Sequence, residues 1–162
     1  NVDLEKNAYF RMLRAHLPIY WMPCFGDGGY QTYWKFRQGE VLEKASLPVQ
    51  NFFVYALMKS NPKELDPIQA LEKPIEDSIK EKLWAMERNM WCTAGFLHAV
   101  GRNNDTFTFE KKKVILNENE GNTLFSTGNE SIELWTFHQS DPIAYTQSMT
   151  GIVRDFMAGL GK

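Results

Sequence analysis

TFTFEKKKVILNENEGNTLFSTGNESIELWTF, residues 106–137, carries the clearest strand-and-turn pattern of the chain. Short runs rich in Thr, Phe, Val and Ile alternate with clusters of Asn, Gly, Ser and Glu, and such runs read as strands joined by turns. The spacing predicts strands over 106–109, 113–116, 122–126 and 131–137, with turns at Asn117–Gly121 and Thr127–Glu130. Strands joined by connections this short must pair antiparallel. In the last of them Ile132, Leu134 and Trp135 are the packing candidates. A sheet of this kind buries one face under helices and leaves the other for solvent or a ligand.

The helices to cover it lie on both sides of that stretch. Upstream, Ile75, Ile79, Leu83, Met86 and Met90 recur at three- and four-residue spacing after Pro74, which predicts one helix. Residues 92–100 fit either a helix end or an alternating strand. Downstream, Asp141-Pro142 opens a final helix whose apolar face runs from Ile143 through Met149, Ile152, Val153 and Phe156 to Leu160. Towards the N-terminus, Asp3 is placed to cap a helix carrying Tyr9, Met12, Leu13 and Leu17, ended by Pro18 and Pro23. The glycine-rich Cys24–Gly29 is a turn, residues 30–37 and 40–47 read as two strands, and Gln38-Gly39 between them reads as a hairpin connection. Val49–Lys59 is long for a strand and is read as a helix, and Asp66-Pro67 starts another. The whole is an α+β fold, an antiparallel sheet with helices packed on one face, and residues 1–162 are read as a single domain.

Bulk properties narrow the function. The 162 residues are 43% hydrophobic, and 14% are aromatic, with five Trp, a surplus that either fills a core or lines a site. A net charge of −2 and a pI of about 6.0 argue against a protein that coats long DNA or RNA, and leave room for recognition of a single nucleotide. No stretch reaches the ~18 uncharged apolar residues of a membrane span, and no leader segment is read. Cys24 and Cys92 lie far apart without metal-ligand spacing, so a reducing compartment is expected and one long-range disulfide stays open.

Catalytic patterns are missing from the chain. There is no Walker loop, no dinucleotide fingerprint, no nucleophile elbow and no His-Glu-x-x-His. His16, His98 and His138 have no Ser or Cys at a telling spacing, so no catalytic residue, cofactor or metal ligand is assigned. Lys111, Lys112 and Lys113 form the one dense basic run, which reads either as a charged strand edge or as an anion contact beside a pocket.

Three ordered stretches carry a family resemblance. They are Leu17-Pro18-Ile19-Tyr20-Trp21-Met22-Pro23-Cys24 followed by Gly28-Gly29 and Trp34; Ser131-Ile132-Glu133-Leu134-Trp135-Thr136; and Ser148-Met149 through Arg154-Asp155-Phe156-Met157. Together, over less than half of the chain, they resemble the cap-binding translation initiation factor 4E family. The resemblance implies a curved antiparallel sheet, a cytoplasmic role in translation, and a methylated guanine nucleotide or RNA 5′ end as ligand. It gives Trp21 a stacking role and Trp135 a contact near the methyl group, with Lys111, Lys112 and Lys113 standing in for the family's phosphate contacts. It also implies a protein partner on the helical face, for which Arg11 and Arg14 of the first helix are the candidates. The chain departs from the family at Met22, where the base-reading Glu belongs, and at Ser126–Ser131, which lacks the family's basic residues. Two other readings stand beside this one: a protein-interaction module on the same scaffold, and a small-ligand pocket protein.

Overall fold

The computed structural model describes residues 5–22, 34–58, 66–102, 105–117, 122–124 and 131–160. The elements in order are α1 (Lys6–Leu13), β1 (Tyr20–Trp21), β2 (Trp34–Arg37), α2 (Gln38–Leu42), α3 (Leu47–Met58), α4 (Pro67–Glu72), α5 (Asp77–Ala85), β3 (Glu87–Met90), α6 (Thr93–Ala99), β4 (Thr108–Asn117), β5 (Asn122–Leu124), β6 (Ser131–His138) and α7 (Pro142–Gly159). The class is α+β. The chain forms two compact units, one of residues 1–33 and 91–142, the other of 34–90 and 143–162.

The first unit is built on a four-stranded sheet in the order β1-β6-β4-β5. β4 pairs antiparallel with β5 and, from Thr108↔His138 to Ile115↔Ser131, with β6. β1 adds to the other side of β6 in parallel, with Tyr20 opposite Trp135 and Trp21 opposite Thr136. Two expected strands, 106–109 and 113–116, are one continuous β4, and the lysine run lies in its middle. A row of three lysines breaks no backbone rule of a strand; it only alternates charge between the two faces.

Helices meet this sheet from both sides, which corrects the expectation of helices on one face only. On one face Phe10 and Leu13 of α1 pack with Val114 and Leu134, and Tyr9, Ile19, Trp21 and Ile132 close around them. On the other face the His98 ring of α6 lies 4.5 Å from the Phe109 ring, and Met22 packs so close to α6 that a Cβ on Gly95 would come within 2.9 Å of its Sδ. The first helix is capped by Glu5, whose carboxylate accepts from the Ala8 N–H at 3.3 Å, and it ends at Leu13, before the expected Leu17.

In the second unit β2 and β3 form an antiparallel pair, Trp34↔Met90 to Arg37↔Glu87. The expected strand over 40–47 is instead the short helix α2. The Glu40 carboxylate accepts from the Arg37 N–H at 2.6 Å and closes the first turn, and Gln38, Val41 and Leu42 then share a buried side. The hairpin read at Gln38-Gly39 is therefore a helix start, and Gly39 is needed there because the Trp84 ring lies against it. The predicted helix after Pro74 stops at Ala85, and Glu87–Met90 leaves it as β3. Residues 47–58 are helical as expected, and α3 holds α4 through its polar side chains. Asn51 Nδ2 donates to the carbonyls of Leu71 and Lys73 at 2.8 and 2.7 Å, and the Tyr55 hydroxyl donates to that of Ala70 at 2.6 Å. Asp66 caps α4 through the Ile68 N–H at 2.8 Å. The final helix forms where expected and buries Tyr145 and Met149, but Ile143 and Phe156 of its expected apolar face are exposed.

Candidate functional site

Side chains on neighbouring strands share a face when their residues are paired, and successive residues alternate. Pairing Tyr20 with Trp135 and Trp21 with Thr136 therefore puts Trp21 and Trp135 on opposite faces of the sheet. This corrects the expectation that the two indoles grip one ring. Trp21 faces α1 and is packed against the Phe10, Leu13, Val114 and Leu134 cluster. Thr136 beside it is buried, its Oγ1 donating to the Glu110 carbonyl at 3.2 Å.

Trp135 points the other way, into a row of aromatic rings. Tyr20 stacks with it, ring centroids 5.7 Å apart and planes 13° from parallel. Tyr20 also meets His98 at 4.4 Å and Phe109 at 5.3 Å. Phe109, Phe107 and Phe137 are buried and anchor the row, while Tyr20 is 45% exposed and Trp135 half-buried. The row thus runs from sealed phenyl rings to an open phenol and indole.

The lysine run divides by the same alternation. Lys111 and Lys113 lie on the Trp135 face, opposite Trp135 and Glu133 in the β4–β6 ladder. The Lys111 ammonium sits 5.3 Å from the Trp135 ring centre. Lys112 lies on the α1 face, 3.5 Å from the Glu110 carboxylate, which also stands 4.0 Å from His138 Nε2. So two of the three expected phosphate contacts share a face with the exposed rings, and the third does not.

His98, weighed from the sequence only as a base without a nucleophile, lies instead in this aromatic row, and Tyr20 carries no separate role in the sequence reading. Tyr20 precedes Trp21 in the chain, and only its pairing with Trp135 shows that it, and not Trp21, has the outward ring. Met22 stands where a base-reading Glu is expected and packs against Gly95 of α6. Arg11 of α1 and Arg14 at its C-cap are exposed. Cys92 is an exposed free thiol, and Cys24 and the Gly28-Gly29 turn lie outside the described residues. Among the described residues no group of three His, Cys, Asp or Glu side chains converges as a metal site, and no helix is long and apolar enough to cross a membrane. Comparison of the chain with protein-family models, with curated proteins and with solved structures finds no match.

Proposed function

We propose that the α6-side face of the sheet binds a nucleotide or a single-stranded RNA end, with the base stacked on Trp135 and Tyr20 and the phosphates held by Lys111 and Lys113. The observation that supports it is the near-parallel Trp135–Tyr20 pair, with Tyr20 exposed, Trp135 half-buried and an ammonium beside it. Stacking on such rings is worth about 1–3 kcal/mol per base, and a nearby cation adds a salt-dependent attraction for phosphate. Within this class, the methylated guanine cap is the ligand that the family resemblance implies, with translation in the cytoplasm as its setting. Lys111 weighs against that choice, because a cationic ring over Trp135 would meet the ammonium already there.

The test is fluorescence anisotropy of a short labelled oligoribonucleotide, competed with guanosine triphosphate and with its methylated form. Trp135→Ala is expected to weaken binding about tenfold or more. Equal competition by the two nucleotides identifies a general stacking site, and a strong preference for the methylated one identifies a cap site. Absence of oligonucleotide binding would reject both and move the function to a protein partner on α1, where Arg11 and Arg14 flank the 48%-exposed Met12.

A further inference from the structure

The second unit carries an open groove of about 530 Å³, lined by Arg37, Asp77, Lys80, Glu81, Trp84 and Ala85, whose charged side chains are all exposed. That volume lies in the range of small-molecule sites, roughly 300–1,000 Å³. Its wall is Trp84, seated against the backbone of Gly39, where an added Cβ would come within 2.7 Å of the indole Cδ1. Its edge is Arg37, whose backbone is pinned by the 2.6 Å bond from its N–H to the Glu40 carboxylate.

On α5, Lys80 is three residues from Asp77 and adjacent to Glu81, and the usual outcome of such spacing is an Asp–Lys pair. Instead Lys80 turns towards Trp84 and places its ammonium 5.2 Å from the ring centre. Among the described residues, none of Arg37, Asp77, Lys80 and Glu81 makes an ion pair. Asp77 and Glu81 are like charges one turn apart on α5.

Two cations and two anions that make no ion pair among the described residues, around one hollow walled by Trp84, select for a ligand with both signs. A simple anion would satisfy Arg37 and Lys80 and be repelled by the carboxylates, and a simple cation would meet the reverse. We infer that this groove binds a free α-amino acid. Its carboxylate goes to Arg37, whose planar fork suits that group, and to Lys80. Its ammonium goes to Asp77 and Glu81, and its side chain lies along Trp84.

The experiment is calorimetric titration of the full chain with L-phenylalanine, with 3-phenylpropionate and with phenethylamine, which keep one charge each. Phenylalanine binds, and each single-charge compound binds about tenfold more weakly or worse. Arg37→Gln and Glu81→Gln, both at exposed positions, each weaken phenylalanine about tenfold while the circular dichroism stays unchanged. The Trp84 indole N–H resonance shifts on addition of phenylalanine and stays in place with the two fragments at equal concentration. Phenylpropionate binding as tightly as phenylalanine would reduce the site to an anion contact and overturn the inference. So would the absence of heat and of any Trp84 shift at about 10 mM phenylalanine, or variants that bind as the parent chain does.

Discussion

Trp21 and Trp135 belong to adjacent strands, one residue out of register, and they live in different chemistry. Trp21 looks towards α1 and fills the space beside Phe10 and Leu134. Trp135 looks towards α6 and shares a half-open row with Tyr20 and Lys111. The same indole is a packing group on one face and a platform on the other, because a strand turns its side chains over at every residue. An aromatic's role in a sheet is assigned by register, and residue type and loop context alone do not assign it.

The largest effect separates the two indoles by stability. Trp21→Ala removes a large ring from the α1 face and is expected to cost about 3 kcal/mol, near the lower end for buried aromatics because Trp21 is only partly buried. Trp135→Ala leaves the buried Phe107, Phe109 and Phe137 in place and costs about 1 kcal/mol or less. Urea unfolding of the two variants measures both. Equal losses would show that the α6 face is as much a core as the α1 face, and would remove the structural basis for a site there.

That outcome could not be foreseen from the residues. The meander over 106–137 was legible because its turn chemistry is dense, and α7 was legible because Pro142 and a long apolar stripe agree. The lysine run hid the continuity of β4, since charge is read as a boundary when it only marks two wetted faces. The segment over 38–47 misled for a sharper reason. Gln38-Gly39 has hairpin chemistry, and what makes it helical is non-local: the Glu40 carboxylate turns back on Arg37, and Trp84, some forty-five residues further along, occupies the place of a Cβ at Gly39. The stripe ending in Met86 and Met90 kept helical spacing after the helix had stopped, because pairing with β2 claims Glu87–Met90. The joint Trp21–Trp135 site failed for want of register, which no single strand contains.

Tyrosines repeat the contrast in titratable form. Tyr20 is 45% exposed, whereas Tyr145 of α7 is buried, and burial pushes its phenol far above the ordinary value near 10. The folded state therefore keeps the Tyr145 proton where the unfolded chain releases it. Its contribution to stability is complete below about pH 10 and declines above it, by about 1.4 kcal/mol for each pH unit. Chemical unfolding followed from pH 9 to 11 should show this fall, and Tyr145→Phe should flatten it. An unchanged slope in Tyr145→Phe would mean that the hydroxyl ionises as readily in the folded chain as in the unfolded one.

The smallest effect tests the division of the lysine run. Lys112 and Glu110 form an exposed pair at 3.5 Å on the α1 face, and such pairs contribute about 0.2–1 kcal/mol. Lys112→Ala should therefore shift stability by a few tenths of a kcal/mol and leave oligonucleotide binding as it was. Lys111→Ala should change stability as little, because its ammonium makes no ion pair among the described residues, only the approach to Trp135. What it should change is the salt dependence of binding: one fewer phosphate contact lowers the slope of log affinity against log salt by about 1. The two substitutions remove the same charge from adjacent residues, so net charge cancels between them and only the face differs. Equal salt slopes for the two variants would show long-range attraction to the whole strand, and phosphate contact on the Trp135 face would have to be abandoned.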